Sequence, residues 1–423
     1  MDRSLKLFRA DAVGTLVARP NRFTFVVDTG SRYGVLEEPG PGTVRAHVPN
    51  PGRMWELTYP GTEVILQRAG ASPGAAEPPG RQWPDAEGSP GARSRRTPGS
   101  RKTEWTAVAV RRPSDRVVVP LVAAGANRTA RDLILPLLLP DAVDIRSEVT
   151  RGGSRFDFVA ATPEGEVVVE VKSCTLAAHG VAMFPDAATT RGARHVAELA
   201  EITGGRRIVL FVIQGPPAGL FVPDIHTDPA FAVALRDAGR KGVEVVAVAT
   251  QTTPEGITTV MNRSVPVDLA VVETVDADRG SYILHLRIDA PQRIAVGSLG
   301  EFEVVPGHYL YVGSAMGTMR SRTSRHERRR KRMRWHVDYL RAVADWASAY
   351  RIYSEARLEC DIAGVLGAIY TAPIPGFGSS DCTCESHLFF SPSDPRRDPR
   401  FVEAMLAFRH RDALAPIFRR KTR

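Results

Sequence analysis

Residues 153–172 constrain this chain more than any other stretch: Gly-Ser-Arg-Phe-Asp-Phe-Val-Ala-Ala-Thr-Pro-Glu-Gly-Glu-Val-Val-Val-Glu-Val-Lys. Two apolar runs meet at a Pro-Glu-Gly turn, which predicts a hairpin with strands over 156–160 and 166–171. A run such as Val167-Val168-Val169 belongs in a buried strand. Charge interrupts both strands all the same, with Asp157 in the first and Glu170 and Lys172 in the second. An unpaired carboxylate or ammonium in such a place costs several kcal/mol. Glu170 and Lys172 lie two apart and project from one face of their strand. That concentration of cost points to a site that holds a cation and acts on an anion. Two carboxylates bind Mg²⁺ or Mn²⁺ through oxygen, and a lysine beside them meets a phosphate and the attacking water.

Periodicity around the hairpin predicts a helix over 128–139, a strand over 145–149, a helix over 189–202 and a strand over 207–213. The resulting αβββαβ unit places the charges at the centre of a small mixed sheet. A helix over 230–240 and a strand over 243–249 close it. Glu148 precedes the hairpin as either a further metal ligand or half of a surface salt bridge. An Asp followed by Glu-x-Lys on the adjacent strand resembles the signature of the PD-(D/E)xK nucleases.

At 423 residues the chain exceeds one compact core, and two or three domains are expected. The fold class expected is α/β and α+β multidomain. Short β-prone runs at 11–17, 22–28, 33–36, 44–47 and 63–67 predict an OB-like barrel over 1–110. Within it, 69–100 is rich in Gly, Pro, Ala and Arg and is expected to be a disordered insertion, after which a strand resumes over 103–110. The αβββαβ domain follows over 111–272. A third, α+β domain is expected over 279–415, able to fold alone. Its strands are predicted at 281–287 and 309–313, with a turn at Pro306-Gly307, and its helices at 334–347, 356–366 and 401–410.

Net charge is +9, which favours an anionic partner through counterion release. Between Arg320 and Arg334 nine residues are Lys or Arg and one, Glu327, is acidic. A solvated helix face is the bland explanation; beside Trp335, nucleic-acid contact is preferred. Residues 396–400 and 419–423 add basic patches. No run of about eighteen apolar residues supports a membrane span, and residues 1–4 lack the pattern of a signal peptide. A cytoplasmic location without a membrane partner is expected.

Residues 1–270, apart from the insertion, resemble the sugar fermentation stimulation protein A family. The resemblance rests on His47-Val48-Pro49-Asn50-Pro51-Gly52-Arg53-Met54, Ala126-Asn127-Arg128, Ser147-Glu148-Val149, Ser154-Arg155-Phe156-Asp157-Phe158, Val169-Glu170-Val171-Lys172-Ser173 and Phe184-Pro185-Asp186-Ala187, then Arg191-Gly192 and His195. It implies an OB barrel joined to a PD-(D/E)xK nuclease-like domain that binds DNA. Asp157 and Glu170 would hold the metal, aided by Glu148, with Lys172 at the scissile phosphate. Asn50, Arg53, Arg128, Arg155 and Arg191 are the expected nucleic-acid contacts, although Asn50-Pro51-Gly52 also reads as a plain turn. His195 reads as a packing or capping histidine. The insertion departs from the family pattern.

Residues 280–390 resemble a GIY-YIG-like domain, through Gly280-Ser281-Tyr282, Tyr311-Val312-Gly313-Ser314-Ala315, Arg322, Arg325-His326, Trp335-His336, Asp338-Tyr339-Leu340, Glu359 and Gly376-Phe377-Gly378-Ser379-Ser380-Asp381-Cys382 with Cys384. The resemblance implies Tyr282, Tyr311 and Arg322 as catalytic groups and Glu359 as a metal ligand. Arg325 and His326 are expected to touch nucleic acid. Gly-Ser-Tyr for Gly-Ile-Tyr and the long segment between the two motifs depart from the pattern.

Four cysteines do not make a disulfide framework. Cys382, Cys384 and His387 offer zinc ligands, but Cys-x-Cys is tighter than the usual knuckle and Cys360 is distant in sequence. A thiol-lined structural loop is therefore preferred there, and Cys174 reads as core. The functional expectation is a metal-dependent nuclease acting on DNA and/or RNA. The alternative is a non-catalytic DNA-binding regulator, and the family's name alone suggests a metabolic regulator of sugar use.

Overall fold

The computed structural model describes residues 3–30, 42–50, 52–69 and 103–421. The expected strand at 33–36, the insertion beyond residue 69 and the basic side chains of 419–423 lie outside what is described.

Strands β1 (Ser4–Lys6), β2 (Ala12–Asn21), β3 (Thr24–Asp28), β4 (Thr43–His47), β5 (Glu63–Arg68), β6 (Trp105–Arg111) and β7 (Val118–Pro120) open the chain. Neighbours run β4-β3-β2-β5-β6, and β4 pairs in parallel with β6 to close a five-stranded OB barrel. The barrel is thus completed by a strand from beyond the long insertion. Residues of β2 alternate between buried and exposed along much of the strand. That period of two sends Leu16 inward against Phe25, Val27, Val64 and Val110.

The central domain begins with a helix made of α1 (Ala123–Thr129), a π-helical turn (Ala130–Ile134) and α2 (Leu135–Leu138). Pro136 has no N–H for the carbonyl four residues back, and the turn before it widens. There follow β8 (Asp144–Arg151), β9 (Ser154–Thr162), β10 (Gly165–Cys174), β11 (Leu176–Ala178), β12 (Val181–Phe184), α3 (Thr190–Ala200), β13 (Arg206–Gln214), β14 (Leu220–Pro223), α4 (Pro229–Arg240), β15 (Glu244–Thr252), β16 (Ile257–Val265) and α5 (Glu273–Asp276). The main sheet runs β15-β13-β10-β9-β8, parallel through β10 and antiparallel beyond it, and β7 joins it to the barrel. Alternate residues of β10 and β13 bury opposite faces: Val169 and Leu210 under α1, Val168 and Phe211 under α3 and α4. Every element expected between 128 and 249 is present.

The C-terminal domain contains β17 (Arg279–Ile288), β18 (Gln292–Ala295), β19 (Glu301–Val304), β20 (Gly307–Met316), α6 (Met319–Glu327), α7 (His336–Val343), β21 (Asp345–Tyr353), α8 (Glu359–Ile369), β22 (Leu388–Ser391) and α9 (Pro399–Lys421). Its sheet is antiparallel in the order β21-β17-β20-β22. The helix expected over 334–347 ends at Val343, because 345–353 pairs with β17 and buries Tyr350 and Ile352. A β18–β19 hairpin precedes the bend at Pro306, an element the sequence did not suggest. Gly280 sits at φ 147°, and a Cβ there would lie 2.1 Å from the Ile352 carbonyl oxygen, so the motif glycine is sterically required.

This domain packs on the other two. Ile225 and Ala232 share its core, Trp55 packs against Phe401, and Val402 and Leu406 pack with Met183 and Val222. The Arg409 guanidinium donates to Glu56 Oε1 at 2.7 Å, both groups being buried. Burial pushes the Glu56 carboxyl up to about 7 even though Arg409 pulls it down. His226 accepts the Tyr353 N–H at 3.0 Å and reaches the Arg409 carbonyl at 3.0 Å, tying the central domain to both. Among the described residues, no helix is long and apolar enough to cross a membrane.

Candidate active site

The β9–β10 ladder ends at the pair Phe158–Val169. One residue further, the Asp157 side chain takes the place of backbone: Oδ2 accepts the Val171 N–H at 2.7 Å, and Oδ1 accepts from Asn127 Nδ2 at 2.7 Å. The strands splay and a notch opens between them. Register also sets Glu148 opposite Asp157, since Ser147 pairs with Phe158 and Val149 with Phe156. Glu148, Asp157 and Glu170 therefore lie in one row across β8, β9 and β10. Glu148 has φ 55°, a left-handed conformation unusual for its residue type. Its carboxylate pairs with Arg155 at 2.9 Å on the exposed rim.

Glu170 is buried. Its Oε1 receives Lys172 Nζ at 2.6 Å and His195 Nδ1 at 3.0 Å, while Oε2 is buried without a hydrogen-bond partner. Arg191 donates to the other ring nitrogen of His195 at 3.4 Å, which assigns Nδ1 as the proton donor to Glu170. Burial, and then the neighbouring Glu170 charge, raise the Asp157 carboxyl above its ordinary range. The orphaned Oε2, the Asp157 carboxylate and the Glu148 carboxylate offer hard oxygen donors of the kind Mg²⁺ or Mn²⁺ takes. The donor set fits such an ion. The notch has a volume of about 240 Å³ and is lined also by Arg155, Thr189, Arg191 and Gly192.

A groove of about 600 Å³ shares Val171, Lys172 and Thr189 with the notch and runs to the barrel loop at Asn50, Gly52 and Arg53. It continues through Arg22, Arg53 and Asp186 into a cleft of about 820 Å³ below the C-terminal domain, lined by Arg19, Arg351, Arg396 and Arg397 with Trp55 and Tyr350. Asn50 does shape a turn, its Oδ1 accepting the Gly52 N–H at 2.8 Å. Asp186 accepts the Met54 N–H and Arg19 donates to the Gly52 carbonyl, so the loop is held from both sides. Arg53 is exposed beside it. Arg128 corrects expectation: its guanidinium donates to the Lys6 and Leu7 carbonyls and clamps β1 instead of reaching the notch.

The second cluster lies in the C-terminal domain, where a pocket of about 340 Å³ is lined by Tyr282, Tyr311, Ser314, Arg322, Trp335, Arg357 and Glu359. Tyr282 Oη is 3.0 Å from His326 Nε2, and His326 Nδ1 is 3.7 Å from Asp338. Arg325 grips Asp338 at 3.0 and 2.9 Å, and Lys331 approaches it at 3.1 Å. Burial would raise the Asp338 carboxyl, but hydrogen bonds from His326, Arg325, Arg334 and Lys331 hold it far below the carboxylate range. Arg325 and His326, expected at nucleic acid, are thus consumed by an internal network because a buried carboxylate needs its cations nearby. Of the basic run, Arg320, Arg328, Arg329, Arg330, Arg332 and Arg334 are exposed. Arg322 donates to the Ser314 carbonyl at 2.6 Å and lies over Trp335. Burial raises both Tyr282 and Tyr311 above the usual phenol range.

Sequence reading did not select Asn127 or His195 for the site. The signal available was the family resemblance, since Asn127 stands in the Ala126-Asn127-Arg128 block and His195, read as packing or capping, follows Arg191-Gly192.

These elements define a class: an OB barrel continuous with an α/β domain bearing a buried carboxylate notch, with a further α+β domain packed on both. Residues 17–84 match the SfsA N-terminal OB domain, 125–256 the sugar fermentation stimulation protein RE domain, and 281–410 a domain of unknown function, DUF123. The chain belongs to the sugar fermentation stimulation protein family. It is 35% identical over 242 residues to the sugar fermentation stimulation protein homolog of Methanothermobacter thermautotrophicus, covering 55% of this chain and 83% of that protein. The homolog of Symbiobacterium thermophilum is 37% identical over 266 residues, covering 60% and 94%. Among solved structures, Pyrococcus furiosus SfsA in complex with Ca²⁺ aligns with a TM-score of 0.47 at 24% identity, over 62% of this chain and 99% of that one.

Proposed function

We propose that this chain is a metal-dependent phosphodiester hydrolase acting on DNA and/or RNA, with its reaction site in a PD-(D/E)xK-type central domain at Asp157, Glu170 and Lys172. One observation carries the reading: a buried carboxylate with an unpartnered oxygen sits 2.6 Å from a lysine at the head of an arginine-lined groove. Asp157 and Glu170 would hold the ion, with Glu148 as third donor. A bound Mg²⁺ or Mn²⁺ supplies charge neutralisation at the phosphate and a water of lowered pKa. Asn127 and the Val171 N–H aim Asp157; His195, backed by Arg191, aims Glu170. The Lys172 ammonium is placed to donate to a non-bridging phosphate oxygen and to stabilise charge as it develops. Arg155 and Arg191 at the rim, and Arg22 and Arg53 along the groove, bind the flanking phosphates.

The C-terminal pocket supports a second, GIY-YIG-type phosphate site on the same chain. Tyr282, held by His326, faces Arg322 and Glu359 across it, the set such chemistry uses for a nucleophile-activating phenol and a charge clamp.

The test is cleavage of labelled single- and double-stranded DNA and RNA by the full chain with Mg²⁺, Mn²⁺ or EDTA, beside calorimetric Mn²⁺ binding. Metal-dependent cutting lost in Asp157→Asn and Lys172→Met, with polynucleotide binding retained, supports the reading. Binding without cutting under every metal condition overturns it in favour of the non-catalytic regulator.

A further inference from the structure

We propose that Cys360, Cys382, Cys384 and His387 form a Cys₃His site for zinc or another thiophilic divalent ion. Their ligand atoms all lie within 4.8 Å of one another. Tetrahedral bonds of about 2.0–2.3 Å separate ligand atoms by about 3.8 Å, so closure around an ion asks only a small contraction. Cys360 comes from the first turn of α8 and the other three from the loop before β22. The loop is folded back on itself by backbone bonds, Gly376 N–H to the Glu385 carbonyl at 2.7 Å and His387 N–H to the Phe377 carbonyl at 2.8 Å.

His387 is the informative residue. It is buried, with Nε2 3.4 Å from Cys382 Sγ and Nδ1 3.4 Å from Glu359 Oε1. A carboxylate beside the outer nitrogen favours the tautomer that leaves the inner lone pair for a metal, the arrangement metal-bound histidines adopt. Three thiols around one imidazole suit a soft borderline ion, whereas the carboxylates of the notch suit a hard one. Cys360 is exposed and Cys382 and Cys384 are half-buried, which leaves an entry path. Glu359 Oε2 accepts from Ser314 at 2.5 Å, so the same carboxylate joins this cluster to the Tyr282 pocket. Filling the cluster would therefore set the position of Glu359.

Full chain purified from zinc-supplemented cells is assayed for metal after gel filtration, then stripped and titrated with Co²⁺. The proposal expects one zinc per chain, and cobalt spectra with thiolate charge transfer and tetrahedral d–d bands. Cys360→Ser, at an exposed position that leaves folding intact, and Cys382→Ser should each weaken metal binding at least about tenfold. Asp157→Asn should leave it unchanged. A metal-free wild type without a cobalt–thiolate band, a disulfide among these cysteines, or a cobalt spectrum indifferent to Cys360→Ser would overturn it.

Discussion

His195 Nδ1 lies 3.0 Å from Glu170 Oε1, and the same carboxylate oxygen accepts from Lys172 at 2.6 Å. A residue on α3 thereby orients a carboxylate on β10, leaving its other oxygen bare. In His195→Ala that carboxylate loses its brace. Mn²⁺ affinity measured by calorimetry should drop about 10- to 100-fold. His195→Gln should recover part of the loss, since an amide N–H can replace the ring donor. Unchanged metal affinity in His195→Ala would remove its positioning role.

Arg53 and Arg22 stand exposed on the groove between notch and barrel. Replacing both by Ala should weaken polynucleotide binding about equally across sequences and lower the log–log salt slope by roughly one for each phosphate no longer neutralised. Fluorescence anisotropy at several salt concentrations measures both. An unchanged slope would place the polynucleotide elsewhere.

Arg409 and Glu56 bridge the last helix and the barrel loop in a buried ion pair at 2.7 Å. Arg409→Ala at pH 8 should destabilise the chain by about 3–5 kcal/mol, because a buried Glu56 without its cation must either take up a proton or keep an uncompensated charge. Arg409→Met with Glu56→Gln should recover most of it. Urea denaturation of the parent, Arg409→Met, Glu56→Gln and the double variant completes the cycle.

His285 is fully buried 2.8 Å from His308, and burial pushes its pKa down to about 4 from an ordinary 6.5. The folded form resists the proton that the unfolded form takes up. Stability from this residue is therefore complete above pH 6.5 and lost as pH falls toward 4, by up to about 3 kcal/mol. His410, also pushed to about 4 by burial, adds to the same window. Thermal midpoints between pH 7 and 4 should decline less steeply in His285→Leu than in the parent.

Much of the central domain is legible in the amino-acid order, because its signals are local. Apolar runs mark β9, β10 and β13, and charges within β9 and β10 mark the notch. The barrel is legible only in part: the strand over 103–110 is visible, but its closure of the barrel is a pairing between β4 and β6 across about sixty residues. The C-terminal helix expected over 334–347 is shortened because 345–353 finds a sheet edge to pair with, and sheet pairing outweighs weak helical propensity.

What residue order alone established is where buried charge accumulates, since an Asp, a Glu and a Lys inside apolar strands are visible one by one. Which groups surround them was settled by the fold. Asn127 and His195 reach Asp157 and Glu170 from two separate helices, Arg325 and His326 turn inward to Asp338, and Cys360 meets Cys382 across more than twenty residues. Hydrogen bonds and Coulomb forces act over a few ångströms of space, and spacing along the chain carries no record of that distance once helices and strands have packed.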